Sequence, residues 1–210
     1  MRKTRLKRGR SRSAGPDVQN QATQTLPMQI ERFFRRLYGK PCWSVKPGSG
    51  SFLTLEFGNP NLQVGEPVVA SKGASPKVRE ALARRRVHVH GEWHLWIYCC
   101  HWEVLSGMKR IGDCSTKTKI RRAAEFLDGQ KLIRFSVSPR KVNCVFDFDL
   151  GASLRTRPYD KEGEQWLLFG PSQKVLTLRA DGFYKYMSSD VPEDQGGWKP
   201  VQTSRRPARM

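Results

Sequence analysis

Two apolar stripes ninety positions apart, each closed by a glycine, constrain this chain more than any other feature. Ile30, Phe33, Phe34 and Leu37 follow the i, i+3, i+4, i+7 spacing of an amphipathic helix, with Pro27 near its start and Gly39 at its end. Ile120, Ala123, Ala124 and Leu127 repeat the spacing, with Ser115 or Thr116 as cap and Gly129 as terminator. Alternating residues follow each glycine. After one inserted residue Leu53, Leu55, Glu56 and Phe57 match Cys144, Phe146, Asp147 and Phe148, after one more Leu62 matches Leu154, and GEWHLWI from Gly91 matches GEQWLLF from Gly163 at an offset of seventy-two.

These matches predict an internal repeat over 28–104 and 117–187, the first copy carrying roughly twenty extra residues at about 67–88. The expected fold is α+β and rich in antiparallel sheet, with about eight or nine strands and two short helices in one domain over 27–187. Asp181-Gly182, between the alternating runs KVLTLR and FYKYM, reads as a two-residue hairpin turn. Residues 1–26 are expected to be a basic tail that does not pack, and 188–210 a flexible C-terminal tail.

All four histidines fall in VHVHGEWHLWIYCCHWEVL, residues 87–105. From Trp93 to Val104 both parities are apolar or aromatic, as in a strand buried on both faces, with Trp93, Leu95, Ile97 and Cys99 on one side. His88, His90, Glu92 and His94 share a parity, and imidazoles two apart on a strand suit zinc, iron or copper. A turn at Gly91-Glu92, as the match to Gly163-Glu164 implies, would separate them. His88, His90 and His94 are therefore metal candidates only, and neither metal nor cofactor is assigned.

Enzymatic signatures are weak, and the chain reads as non-enzymatic. Cys99 or Cys100 beside His101 pairs a thiol with a base, but adjacent strand residues diverge. Asp147 and Asp149 share a strand face, which a solvated edge explains. The glycines of VKPGSGSF precede no helix and read as a hairpin loop. Cys42, Cys99, Cys100, Cys114 and Cys144 form no CxxC pair and are expected as reduced thiols, mostly buried.

The formal charge is +19, of which the first 25 residues supply +6 and the last seven +3. The body keeps +10, clustered at Lys72–Arg86 and Lys109–Arg122. Such a field attracts polyanions. Arg2, Lys3, Arg5, Lys7, Arg8 and Arg10 of the tail, with Arg84, Arg85 and Arg86, are the candidate polyanion contacts. Phe183, Tyr184 and Tyr186 could offer stacking platforms to nucleic acid. No apolar window reaches the length of a membrane span, so a cytoplasmic location is the expectation.

The motifs LYGKPCW, GSFLTLEFG, VHGEWHLWIYCCHW, LDGQKL, FDFDLGASLRTRPYD, EQWLLF and VLTLRADGFYKY, spanning residues 37–186, resemble a family of small bacterial proteins of unknown function. The second half is similar to domains conjectured to be immunity-type proteins of toxin systems. The resemblance implies a protein partner and assigns no functional residue. Three functions follow as expectations. The first is a non-enzymatic binding module for an acidic protein, the second a non-specific nucleic-acid binder using the basic tail and surface, and the third a metal-dependent protein using the histidines.

Overall fold

Helix α1, Met28–Arg35, starts directly after Pro27, whose fixed φ and missing N–H suit a helix start. It buries Ile30, Phe33 and Phe34. Helix α3, Lys117–Leu127, is capped by the Thr116 hydroxyl, which accepts the Lys119 N–H at 3.3 Å. Ser115 belongs instead to the turn at Asp113. Between them lies α2, Pro76–Leu82, which apolar periodicity did not reveal because it buries nothing. Its signal is the Ser75 cap followed by Pro76.

The structure is a computed structural model that describes residues 27–138, 141–191 and 197–201. The tail over 1–26, with Arg2, Lys3, Arg5, Lys7, Arg8 and Arg10, lies outside the described residues. The described residues form twelve strands: β1 (Cys42–Pro47), β2 (Leu53–Gly65), β3 (Arg86–Ile97), β4 (Cys100–Ser106), β5 (Lys109–Asp113) and β6 (Leu132–Val137), then β7 (Cys144–Phe148), β8 (Ala152–Pro158), β9 (Glu164–Gly170), β10 (Lys174–Arg179), β11 (Phe183–Ser188) and β12 (Lys199–Pro200). They form two antiparallel sheets, ordered β1-β2-β3-β9-β10-β11-β12 and β5-β4-β8-β7-β6. The fold is α+β and β-rich, with twelve strands and three α-helices among the described residues rather than eight or nine and two.

The two halves trace the same path with the sheets exchanged. After α1 the chain makes the meander β1-β2-β3 in the larger sheet, then crosses to the smaller sheet for β4-β5. After α3 it makes β6-β7-β8 in the smaller sheet, then crosses to the larger one for β9-β10. The halves meet at Pro41 and Lys131, ninety positions apart, which form an antiparallel bridge. Around it, Gly39 N–H donates to Leu132 O at 2.8 Å and Gly129 N–H to Cys42 O at 2.7 Å. Likewise Cys42 N–H donates to Gln130 O and Leu132 N–H to Lys40 O, at 2.8 and 3.2 Å.

One part of the sequence match is corrected by the register. Ile97 pairs with Trp166, while Thr156 pairs with Trp102. Trp102 of β4 is thus the counterpart of Trp166, and GEWHLWI lies beside EQWLLF in one sheet instead of being its equivalent. The insertion is also longer than expected. Where β7 turns into β8 over 149–151, β2 and β3 run on as a paired extension, 60–65 against 86–91, that carries α2.

A single core lies between the sheets and helices, built around Phe34, Phe135, Phe146 and Trp166. The run from Trp93 to Val104 is not one doubly buried strand. Trp93, Leu95 and Ile97 point inward, the chain breaks at Tyr98-Cys99, and Cys100, Trp102 and Val104 then point inward from the other sheet. The corner shifts the parity by one, and Cys99, expected in the core, is only partly covered.

The last segment also departs from expectation. β12 pairs with β11, Val201 is buried, and its N–H donates to Gly182 O at 2.8 Å. The Trp198 ring receives Arg179 and Lys185 at 4.7 and 4.6 Å. The β10-β11 connection spans 180–182, one residue more than the expected turn.

Candidate functional site

The extension of β2 and β3 forms an arm. Beyond a bulge that sets Gly58 and Asn59 against Glu92, Leu62 pairs with Val89 and Val64 with Val87. Alternation places these four side chains on one face, continuous along β3 with the core positions Trp93, Leu95 and Ile97. All four remain about half exposed or more, from Val89 at 49% to Leu62 at 71%. Val68, Val69 and Val78 add further exposed apolar surface. A run of apolar residues on an arm without a core is a surface that gains by being covered.

Charge borders this face. Lys77, Arg84, Arg85 and Arg86 line a shallow cleft with Glu80 and Ala81. Arg85 pairs with Glu66 at 2.9 Å and Arg84 with Glu80. Arg86 donates to the Ala81 carbonyl at 2.8 Å and has no carboxylate partner among the described residues. From residue 60 to 91 the arm holds six Lys/Arg against two Glu.

The opposite face carries the histidines. Glu56 is buried on β2, and its Oε1 lies 2.7 Å from His94 Nδ1 and 3.8 Å from His90 Nδ1. Its Oε2 accepts the Gly91 N–H at 2.9 Å. Burial by itself would raise the Glu56 pKa, but the hydrogen bonds from His94 and Gly91 outweigh it and hold the carboxyl below its ordinary range. Ligating atoms of Glu56, His90 and His94 all lie within 4.8 Å of one another. This closeness depends on Gly91, where a Cβ would come 2.5 Å from the Phe57 carbonyl oxygen.

The expected metal set is thus changed in two places. His88 stays outside the group whose ligating atoms converge. Glu92 turns to Lys40 at 3.5 Å and Asn59 at 3.2 Å. Glu56 replaces it, a residue the sequence showed only as the counterpart of Asp147. Its outward position was legible from the alternation of Leu55 and Phe57, but its partners depend on strand register.

The other candidates separate. Cys100 is buried, its Sγ donating to Gln165 O at 3.3 Å, and burial pushes its pKa well up; His101 packs on Tyr159. They form no nucleophile and base pair. Asp147 binds Arg134 at 2.7 Å and Ser153, its partners on the flanking strands β6 and β8, while Asp149 accepts the Lys131 N–H, so the two carboxylates have separate structural partners. Tyr184 is buried, and Tyr186 stacks on Phe33 at 4.3 Å, which leaves Phe183 alone of the three expected platforms exposed. VKPGSGSF is a hairpin loop between β1 and β2.

Among the described residues no helix is long and apolar enough to cross a membrane. Comparison with protein-family models, with curated proteins and with solved structures gives no match.

Proposed function

We propose that the protein is a non-enzymatic binding module whose arm docks an acidic partner protein. The observation that carries this reading is the exposed face formed by Leu62, Val64, Val87 and Val89 beside a basic cleft. Apolar contact supplies affinity there, and the arginines select a partner of opposite charge. A second copy of this chain, at +19, would be repelled. The matched paths of the halves support an internal duplication in which one half alone gained the arm, since a short turn closes the same place in the other. The resemblance to conjectured immunity-type domains points the same way.

A photo-crosslinking residue at Val64 or Val87, in the full chain expressed in cells, tests the reading. An adduct with one acidic protein is expected from these positions and not from Gln63 or His88 on the opposite face. Arg85→Glu with Arg86→Glu should abolish it. Adducts only with nucleic acid, only with a second copy, or equally from both faces would overturn the proposal.

A second reading rests on Arg86, Lys77 and Lys72 at the exposed end of the arm together with the basic tail. It is sequence-blind binding of nucleic acid, with Kd on the order of 10⁻⁴ to 10⁻⁶ M and largely lost above physiological salt. Fluorescence anisotropy with unrelated oligonucleotides at two salt concentrations measures it. Tight binding of one sequence that survives high salt would make nucleic-acid recognition the primary function.

A further inference from the structure

We propose that Glu56, His90 and His94 form a site for a divalent transition-metal ion that ties the arm to the body of the larger sheet. His90 stands on the arm side of the bulge, and Glu56 and His94 stand on the body side. An ion held by all three therefore spans the one place where the β2-β3 ladder is interrupted.

Three observations support the site. Two imidazoles and one carboxylate match the donors that zinc and its neighbours take, whereas calcium and magnesium prefer oxygen alone. The ligating atoms are already within 4.8 Å of one another. Metal–ligand bonds of about 2.0–2.2 Å put neighbouring ligands of a tetrahedral ion roughly 3.4 Å apart, so side-chain rotations of about an ångström close the set. The carboxylate is also oriented beforehand, because Oε2 accepts the Gly91 N–H at 2.9 Å and leaves Oε1 facing the imidazoles.

The surroundings fit an open site. Three protein ligands leave one tetrahedral position for water or for a donor from a bound molecule. His94 packs against the Phe169 ring at 5.7 Å, which limits its freedom, while His90 remains partly exposed and can move onto an ion. His88 and Glu92 contribute nothing, because one lies farther along the arm and the other is held by Lys40 and Asn59. The site is independent of what the arm docks.

Isothermal titration of the full chain with zinc or cobalt(II), under reducing conditions, tests the proposal. One equivalent should bind, and cobalt(II) should give a visible spectrum without a thiolate charge-transfer band. Groups that merely orient ligands carry about 10–100-fold of metal affinity, so losing a ligand should weaken binding by roughly tenfold or more in His90→Ala and in His94→Ala. His88→Ala and His101→Ala should bind like the parent. His90 is exposed enough that its alanine variant should stay folded, which circular dichroism checks. Hydrogen exchange over 60–65 and 86–91 should slow on adding zinc to the parent and not to His90→Ala. Absence of stoichiometric binding, binding that survives His90→Ala, or a thiolate spectrum would overturn the assignment.

Discussion

Gly39 and Gly129 make the same hydrogen bond in opposite directions, each donating its N–H into the first strand of the other half at 2.8 and 2.7 Å. Both have left-handed backbone, φ +79° and +87°, and neither has a heavy atom near the place a Cβ would occupy. Gly129 directly follows the C-terminal cap of α3 and Gly39 closes the turn that follows α1, and at these residues the chain turns into the junction between halves. The tether beyond them is matched too: Val45 N–H donates to Asp128 Oδ1 and Phe135 N–H to the Tyr38 hydroxyl, both at 3.0 Å.

Gly39→Ala and Gly129→Ala should each cost about 1–2 kcal/mol, because the added Cβ strains left-handed backbone and meets no neighbour. Urea denaturation should place the two variants at the same midpoint. A neutral effect at one glycine and a large effect at the other would show that the two crossings are not energetically equivalent.

The corner at Tyr98-Cys99 separates two residues that strand parity groups together. Ile97 is fully buried, and Ile97→Ala should cost about 2–5 kcal/mol through lost burial and a cavity. Cys99 is partly exposed, and Cys99→Ala should stay within about 0.5 kcal/mol of the parent. Equal losses in guanidinium denaturation would mean that the strand continues through the corner.

Asp113 gives the fold a dependence on acid. Burial would raise its pKa, but the hydroxyl and N–H of Ser115 and the Lys119 ammonium outweigh that and hold it below the ordinary carboxylate range. A lowered folded-state pKa stabilises fully above the unfolded value of about 3.9 and loses that contribution as pH falls through the folded value. Asp113→Asn should therefore flatten the fall of denaturant midpoint below about pH 4. A variant that follows the parent curve through this window would show that Asp113 is not the group titrating.

Burial pushes the Cys42 and Cys144 thiols up to about 12, for Cys42 with help from the Asp128 charge and for Cys144 against a hydrogen bond from Trp166. Cys100 shifts in the same direction. These three thiols should not react with Ellman's reagent in the native protein, while the partly exposed Cys99 and Cys114 should react slowly. All five should react once the chain is unfolded. Fast native labelling of Cys42 or Cys144, located by peptide mapping, would contradict the buried placement.

Local chemistry determined the helices. Periodic apolar residues, a hydroxyl cap and a terminal glycine act within a few residues, so α1 and α3 were readable from the chain, as were the β-rich character and the hairpin at VKPGSGSF. The ninety-residue offset holds across the two helices and their glycines and becomes ninety-one at β2 and β7, because one extra residue lies between Gly129 and Cys144. The path beyond depended on which strands pair. Aromatic residues of β3 look like those of β9, yet the two are neighbours in one sheet, and pattern alone does not distinguish a neighbour from an equivalent. The corner at Tyr98-Cys99 was hidden because a one-residue change of parity leaves the same composition as a strand buried on both faces. The arm was hidden because an exposed ribbon has the alternation of any strand, and only its position beyond the core shows that Leu62 and Val87 lack a partner surface. Glu56 joined His90 and His94 through cross-strand register and the close approach at Gly91, which no spacing along the chain encodes, and this is the arrangement that tertiary structure alone decided.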